Sequence, residues 1–181
     1  DAVRAGKVRY VGCSNFAGWQ IAEAWWVSEH NGFVKMVSAQ PEYSMLERAI
    51  EKEVLPSCRR FGMGILPYYP LAHGFLTGKY RRGQPPREGT RLAVLESARQ
   101  RRLTDRNFDI VEKLEGFVKA RGKGVVDLAF AWLLAHPEVS SVIAGASTPA
   151  QIEQNAATCE WRLTAQELAE VTAILDSPAA R

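Results

Sequence analysis

Apolar, β-branched runs recur along the chain, and each gives way to residues spaced for one face of a helix. The first run is residues 8–12 (VRYVG). Ile21, Ala22, Trp25 and Trp26 follow it on one helical face, and Asn31-Gly32 closes that helix. The second run, residues 33–39 (FVKMVSA), leads to a helical stretch from about Leu46, with Pro56 in the first turn of a new helix and Gly62 at its end. The third run is residues 64–68 (GILPY). A segment rich in Gly, Pro and Arg then reads as irregular from Pro70 to about Leu103; a loop of that length is functional or disordered. Ile110, Val111, Leu114 and Phe117 mark a helix, and Leu128, Ala129, Trp132 and Leu133 another that ends at His136-Pro137. The fourth run is residues 140–144 (SSVIA). Thr148-Pro149-Ala150-Gln151 reads as N-cap, Pro at N1 and Gln at N3. Thr164 and Glu167 form a capping box that opens a last helix with Leu168, Val171 and Leu175 on one side.

Strands alternating with helices predict an α/β fold with a parallel sheet. A doubly wound dinucleotide unit should carry G-x-G-x-x-G between strand and helix, and none is present. Four β/α units are about half of a (β/α)8 TIM barrel, which runs to ~250 residues. The expectation is therefore a barrel cut near its middle, with residues 1–7 as the tail of a helix stopped by Gly6.

Composition narrows the partners. The 181 residues suffice for one domain with a core, and a formal charge of +3 argues neither for nucleic acid nor for an acidic membrane. Arg81, Arg82, Arg87, Arg99, Arg101 and Arg102 cluster, and read as a solvated loop and helix face. Three distant cysteines, Cys13, Cys58 and Cys159, form neither a disulfide framework nor a zinc pattern, which suits a reducing cytoplasm. No apolar run is long enough to span a bilayer as a helix.

In parallel α/β proteins the working residues sit at the C-terminal strand ends. Here those ends carry Ser14 and Asn15, then Gln40, then Tyr68, then Gly145 and Ser147 ahead of a capped helix. Ser14, Asn15 and Gln40 are neutral donors and acceptors that suit an amide, Tyr68 offers a flat face, and a helix N-terminus favours an anion such as phosphate. Each has a plain structural reading as cap, turn or core residue; what favours a site is that all lie on one face. An amide-bearing ring joined to a phosphate, as in a nicotinamide dinucleotide, fits the set.

These residues also carry a resemblance. GKVRYVGCSNF, SAQPEYSMLERAIEKEVLPSCRRFGMGILPYYPLAHGFLTGKY, GTRLA and VIAGASTPAQIEQN are similar in order and spacing to the aldo-keto reductases, most of all to the branch that includes bacterial reductases and potassium-channel β subunits. The resemblance implies a (β/α)8 barrel, of which this chain, residues 1–181, would be one partial domain, the C-terminal half with strands five to eight. It implies NADPH, sometimes NADH, and hydride transfer to a small aldehyde or ketone. By motif, Ser14, Asn15 and Gln40 would hold the nicotinamide carboxamide and Tyr68 would stack on its ring. Tyr69, Pro70 and Leu71 would run past the pyrophosphate. Gly145, Ser147, Gln151 and Asn155 would surround the adenosine phosphate and adenine. Ser147 and Gln151 are neutral where many relatives carry Arg or Lys, so NADPH and NADH are not told apart. His73 stands where glycine is common, Ala144 where proline is common and Tyr69 where serine is frequent.

The family's catalytic tyrosine, with its aspartate, lysine and histidine, lies in the first half of the barrel. Tyr10, Tyr43, Tyr69 and Tyr80 show no such constellation here, and His30, His73 and His136 read as surface or loop residues. The expectation is a cofactor-binding half without acid–base machinery, needing the other barrel half or a second copy to cover its open edges. The alternatives are a non-catalytic, dinucleotide-binding regulatory subunit and a degenerate fragment.

Overall fold

Three parallel strands, β1 (Val11–Ser14), β2 (Met36–Gln40) and β3 (Gly64–Ile65), lie side by side in that order in the computed structural model, which describes residues 1–178. Their register lines up Cys13, Ala39 and Ile65 in one buried row, facing the helices. The neighbouring row of the opposite face is Gly12, Ser38 and Gly64. Small residues are required there: a Cβ on Gly12 would strike the Ser38 hydroxyl, and one on Gly64 would strike that of Ser140. Ser14 and Gln40 pair one step further along this face, at the strand ends.

The paired part of the first strand lies later than residues 8–12. β1 is a sheet edge whose ladder starts opposite Met36, so Val8 and Tyr10 fall outside it and Tyr10 is 72% exposed. The fourth run, expected as a strand, is reduced to two isolated parallel bridges, Val139 to Ile65 and Ile143 to Tyr68. Pro67 is the physical cause. Ile65 donates to the Glu138 carbonyl and accepts from Ser140 N–H, but Pro67 has no N–H for the next rung, and the ladder resumes a residue out of step with Ile143 N–H on the Pro67 carbonyl.

Between β1 and β2 runs α1 (Gly18–Asn31), closed by Gly32 in the left-handed conformation as expected. A single 3₁₀ turn, Ala49–Glu51, replaces the helix anticipated from Leu46, and α2 (Val54–Phe61) follows with Pro56 in its first turn and Gly62 as its stop. Gly18 lets α1 approach α2 closely: a Cβ there would lie 2.8 Å from the Glu53 Cβ. Residues 1–7 form one helical turn ended by a Schellman motif, Lys7 N–H to the Ala2 carbonyl and Gly6 N–H to Val3, with Gly6 at φ 71°.

Residues 70–103 are far from irregular. They contain a 3₁₀ segment (Ala72–Thr77) and two short helices, α3 (Arg91–Val94) and α4 (Glu96–Arg102). Their large buried apolar anchors are Phe75, Leu76 and Leu92, with the small Ala98, too few for a periodic signal. Arg102, expected in solvent, is 2% exposed; its guanidinium donates to Glu42 (2.7 Å), Glu47 (3.1 Å) and the Leu46 carbonyl (3.0 Å). The other arginines of the cluster stay at the surface, Arg82 among Asp105, Asp109 and Glu112.

The later helices follow the sequence pattern: α5 (Asp105–Lys119), α6 (Val125–Leu134), α7 (Pro149–Ala157) and α8 (Ala165–Leu175). α6 is apolar except for Asp127 in its first turn, and is buried through Leu128, Ala129, Phe130, Ala131, Trp132 and Leu133. α7 is the opposite case, with no buried side chain and Ile152 62% exposed.

Candidate functional site

The strand ends assemble through hydrogen bonds. The Ser14 hydroxyl donates to the Gln40 carbonyl (3.0 Å), which also accepts the Asn15 N–H (3.3 Å). Asn15 takes the left-handed backbone, φ 59°, a conformation Asn tolerates better than most residues. Its side-chain oxygen accepts from the Tyr68 hydroxyl (2.8 Å), so the amide NH₂ remains its donor group. The Gln40 amide makes no hydrogen bond among the described residues and is half-buried. Burial, and after it the Glu42 charge, push the Tyr68 phenol above its ordinary value, so it stays neutral. Ser14, Asn15, Gln40 and Tyr68 thus form one connected group.

Beyond β3 the backbone is strained. Tyr69 (φ 53°), Ala72 (φ 47°) and His73 (φ 60°) all adopt the left-handed region that disfavours a Cβ. The Tyr69 ring meets Tyr68 edge-on at 5.1 Å and lies on His73 at 4.0 Å, while Pro70 is buried and Leu71 half-buried below. His73, expected as a surface or loop residue, lies in this loop but is buried.

Two cations at this loop were not apparent in the sequence. The Arg91 guanidinium sits 5.7 Å from the Tyr69 ring centre, and a Cβ on Gly145 would lie 3.3 Å from its Nη2. A Cβ on Gly74 would lie 2.9 Å from Lys79 Nζ. Arg91 therefore joins the third strand end to the Gly145 turn. Its signal was the GTRLA stretch, an arginine one residue after a helix-starting threonine.

The Gly145–Ser147 turn is exposed, and the α7 cap is partly spent on itself. Thr148 Oγ1 accepts Gln151 N–H (3.3 Å), and Gln151 Oε1 accepts Ser147 N–H (2.6 Å), one residue before the amide a capping box would use. Gln151 and Asn155 lie along α7, and no hydrogen bond among the described residues ties either side chain to the strand-end group.

The donor set is neutral in Ser14, Asn15 and Gln40 and cationic in Lys79 and Arg91, each cation packed where a glycine lacks a Cβ. That gradient fits an uncharged carboxamide ring followed by phosphates. A cavity of about 340 Å³ opens beside Asn15, with Phe16, Pro41, Ile50 and Val54 as apolar lining and Glu42 and Arg101 among its polar groups.

Comparison with known proteins decides the family. Residues 1–176 match the family model described as "Aldo/keto reductase family". The chain belongs to the aldo/keto reductase family. It is 35% identical to an uncharacterized oxidoreductase, YrpG, of Bacillus subtilis (strain 168), over 97% of this chain and 52% of that protein. It is 37% identical to a probable voltage-gated potassium channel subunit beta of Oryza sativa subsp. japonica, over 83% of this chain and 46% of the relative, and 32% identical to the L-glyceraldehyde 3-phosphate reductase of Escherichia coli O157:H7, over 94% and 50%. The chain spans about half the length of the curated relatives it matches. Among the described residues there is no metal-ligand cluster and no helix long and apolar enough to cross a membrane.

Proposed function

We propose that this chain is the cofactor-holding part of an NAD(P)H-dependent aldo/keto reductase that reduces a small aldehyde or ketone. The observation that carries this is the hydrogen-bonded group of Ser14, Asn15, Gln40 and Tyr68 at the strand ends. In this reading Asn15 NH₂, the Ser14 hydroxyl and the Gln40 amide hold the nicotinamide carboxamide, and Tyr68, fixed by its bond to Asn15, gives its face to the ring. The main chain of Tyr69, Pro70 and Leu71, with Arg91 and Lys79, lines the pyrophosphate path. Gly145, Ser147, Gln151 and Asn155 border the adenosine end; there Ser147 N–H becomes available once Gln151 Oε1 turns away. The bound dinucleotide supplies hydride. The four β/α units correspond in this reading to strands five to eight of a (β/α)8 barrel, a correspondence supported by strand order and by the match to half of each relative. The free thiols Cys13, Cys58 and Cys159 suit a reducing cytoplasm.

Carbonyl reduction also needs a proton donor, and Tyr43 and Tyr68 are unsuited to it. The buried Tyr43 hydroxyl donates to Glu51 Oε1 (3.0 Å), and burial, then the Glu51 charge, push its pKa upward. Tyr68 is pushed the same way. An activated tyrosine would be shifted down by a neighbouring cation. The chain alone is therefore expected to bind the dinucleotide without turning it over, an outcome shared with a regulatory subunit. Titration of the purified chain with NADPH, followed by fluorescence, tests the binding. The absence of any saturable signal would refute the assignment, and carbonyl-dependent NADPH oxidation would refute the lack of a proton donor.

A further inference from the structure

Among the buried titratable groups that the proposed function leaves unused, His73 lies closest in sequence to the pyrophosphate path. His73 is 4% exposed, and its Nδ1 has no hydrogen-bond partner. That nitrogen faces Glu42 Oε1 at 4.0 Å, too far for a hydrogen bond and near enough that a small closing movement would make one. Glu42 Oε1 already accepts from Arg102 (2.7 Å), so the carboxylate is held in place by a second buried element. The other face of the imidazole carries the Tyr69 ring at 4.0 Å.

The backbone adds an independent observation. His73 sits at φ 60°, ψ 25°, the left-handed conformation, directly before Gly74 at φ 86°. An imidazole-bearing residue is disfavoured there relative to glycine, and an unpartnered buried nitrogen is a second unfavourable feature at the same residue. Both sit beneath the loop read above as the pyrophosphate path.

We propose that His73 is a positioning residue for that loop: when the dinucleotide's phosphates settle against Tyr69, Pro70 and Leu71, the imidazole takes up one proton from solvent and closes onto Glu42. The inference rests on the dinucleotide reading. No bond other than N–H is made, and nothing is oxidised. The protonated ring satisfies the orphan nitrogen, forms a charge-assisted bond to Glu42 and fixes Tyr69 from below.

The surroundings support a ring that is neutral before the anion arrives. Burial is the largest influence and lowers its pKa below 6.5; Arg102 and Arg101 on α4 and Arg91 on α3 act in the same direction, and Glu42 opposes them. Glu47 shares Arg102 with Glu42. An anion placed beside Arg91 offsets one of the three opposing arginine charges and adds a favourable one. The bound-state pKa is then above the free-state pKa. Affinity is greatest below the free value and falls as pH rises from the free value to the bound one, by at most about tenfold per pH unit.

The test uses the full 181-residue chain and NADP⁺. Calorimetric titrations between about pH 5 and pH 8, in buffers of different ionisation enthalpy, give both affinity and protons taken up. His73→Gln cannot protonate, and His73→Gly also relieves the left-handed backbone; the 2′-phosphate's own protonation is common to all three proteins. With only three histidines in the chain, ring NMR follows His73 directly. The expected result is that wild type takes up more protons than either variant and loses several-fold more affinity as pH rises. The His73 resonance should titrate at higher pH with NADP⁺ than without. Saturable binding with equal pH slopes in all three proteins, or a His73 titration unmoved by NADP⁺, overturns the proposal and leaves the dinucleotide site standing. Failure of all three to bind NADP⁺ overturns both.

Discussion

Arg102 is held by two carboxylates and a carbonyl, each from the segment between β2 and α2. Its desolvation is compensated only while those partners remain, so removing it leaves Glu42 and Glu47 uncompensated. Arg102→Met is expected to lower stability by about 3 kcal/mol in urea unfolding, whereas the exposed Arg87→Met should stay within about 0.5 kcal/mol. Tyr68→Phe removes the hydroxyl that orients Asn15. It should weaken dinucleotide binding by about tenfold while the unfolding midpoint changes little, because the bond lost is exposed and worth about 1 kcal/mol. An unchanged Kd would show that Asn15 needs no such support.

The helices are set by their ends and by their closest contacts. The capping box of α8 is complete: Thr164 N–H donates to Glu167 Oε2 (2.8 Å), and Glu167 N–H donates to the Thr164 hydroxyl (3.2 Å). Thr164→Ala should cost about 1 kcal/mol by thermal or urea unfolding. The bond from the Thr164 backbone, aided by Arg121, holds the Glu167 carboxyl below its usual value. That contribution is present above the unfolded carboxyl pKa and is lost as pH falls through the lower folded value. The stability gap between wild type and Glu167→Gln, which lacks the carboxylate, should accordingly narrow at acid pH in urea unfolding. At the α1–α2 contact, Gly18→Ala drives a Cβ within 2.9 Å of the Glu53 carbonyl, and a loss of roughly 2 kcal/mol is expected.

At the scale of the molecule, the sheet has an open edge at β1, and a row of small residues on the face opposite the helices. Tyr10 just before β1, Trp19 and Trp26 on α1, Phe33 after it and Val37 on β2 are exposed. Unpaired strand edges and apolar patches favour association. Sedimentation velocity of the purified chain is expected to show species larger than the monomer that grow with concentration; a single monomeric boundary throughout would mean the edge is self-protected.

Much of this was legible along the chain because its causes are local. The strand–helix alternation, the αL stops at Gly6, Gly32 and Gly62, and the caps at Thr148 and Thr164 depend on residues a few positions apart. Ser14, Asn15, Gln40 and Tyr68 could be named from strand-end position, because a parallel sheet delivers strand ends to one face. Only the tertiary structure decided what depends on partners distant in sequence. Arg102 looked like any surface arginine until Glu42 and Glu47, more than fifty residues earlier, enclosed it. The fourth run looked like a strand until Pro67, on its neighbour, withheld a donor. Arg91 acquires meaning only where Tyr69 and the Gly145 turn meet it, and His73 only where Glu42 faces an unpaired nitrogen. Periodicity and capping specify the elements, whereas burial and charge at a point in space are sums over the whole chain.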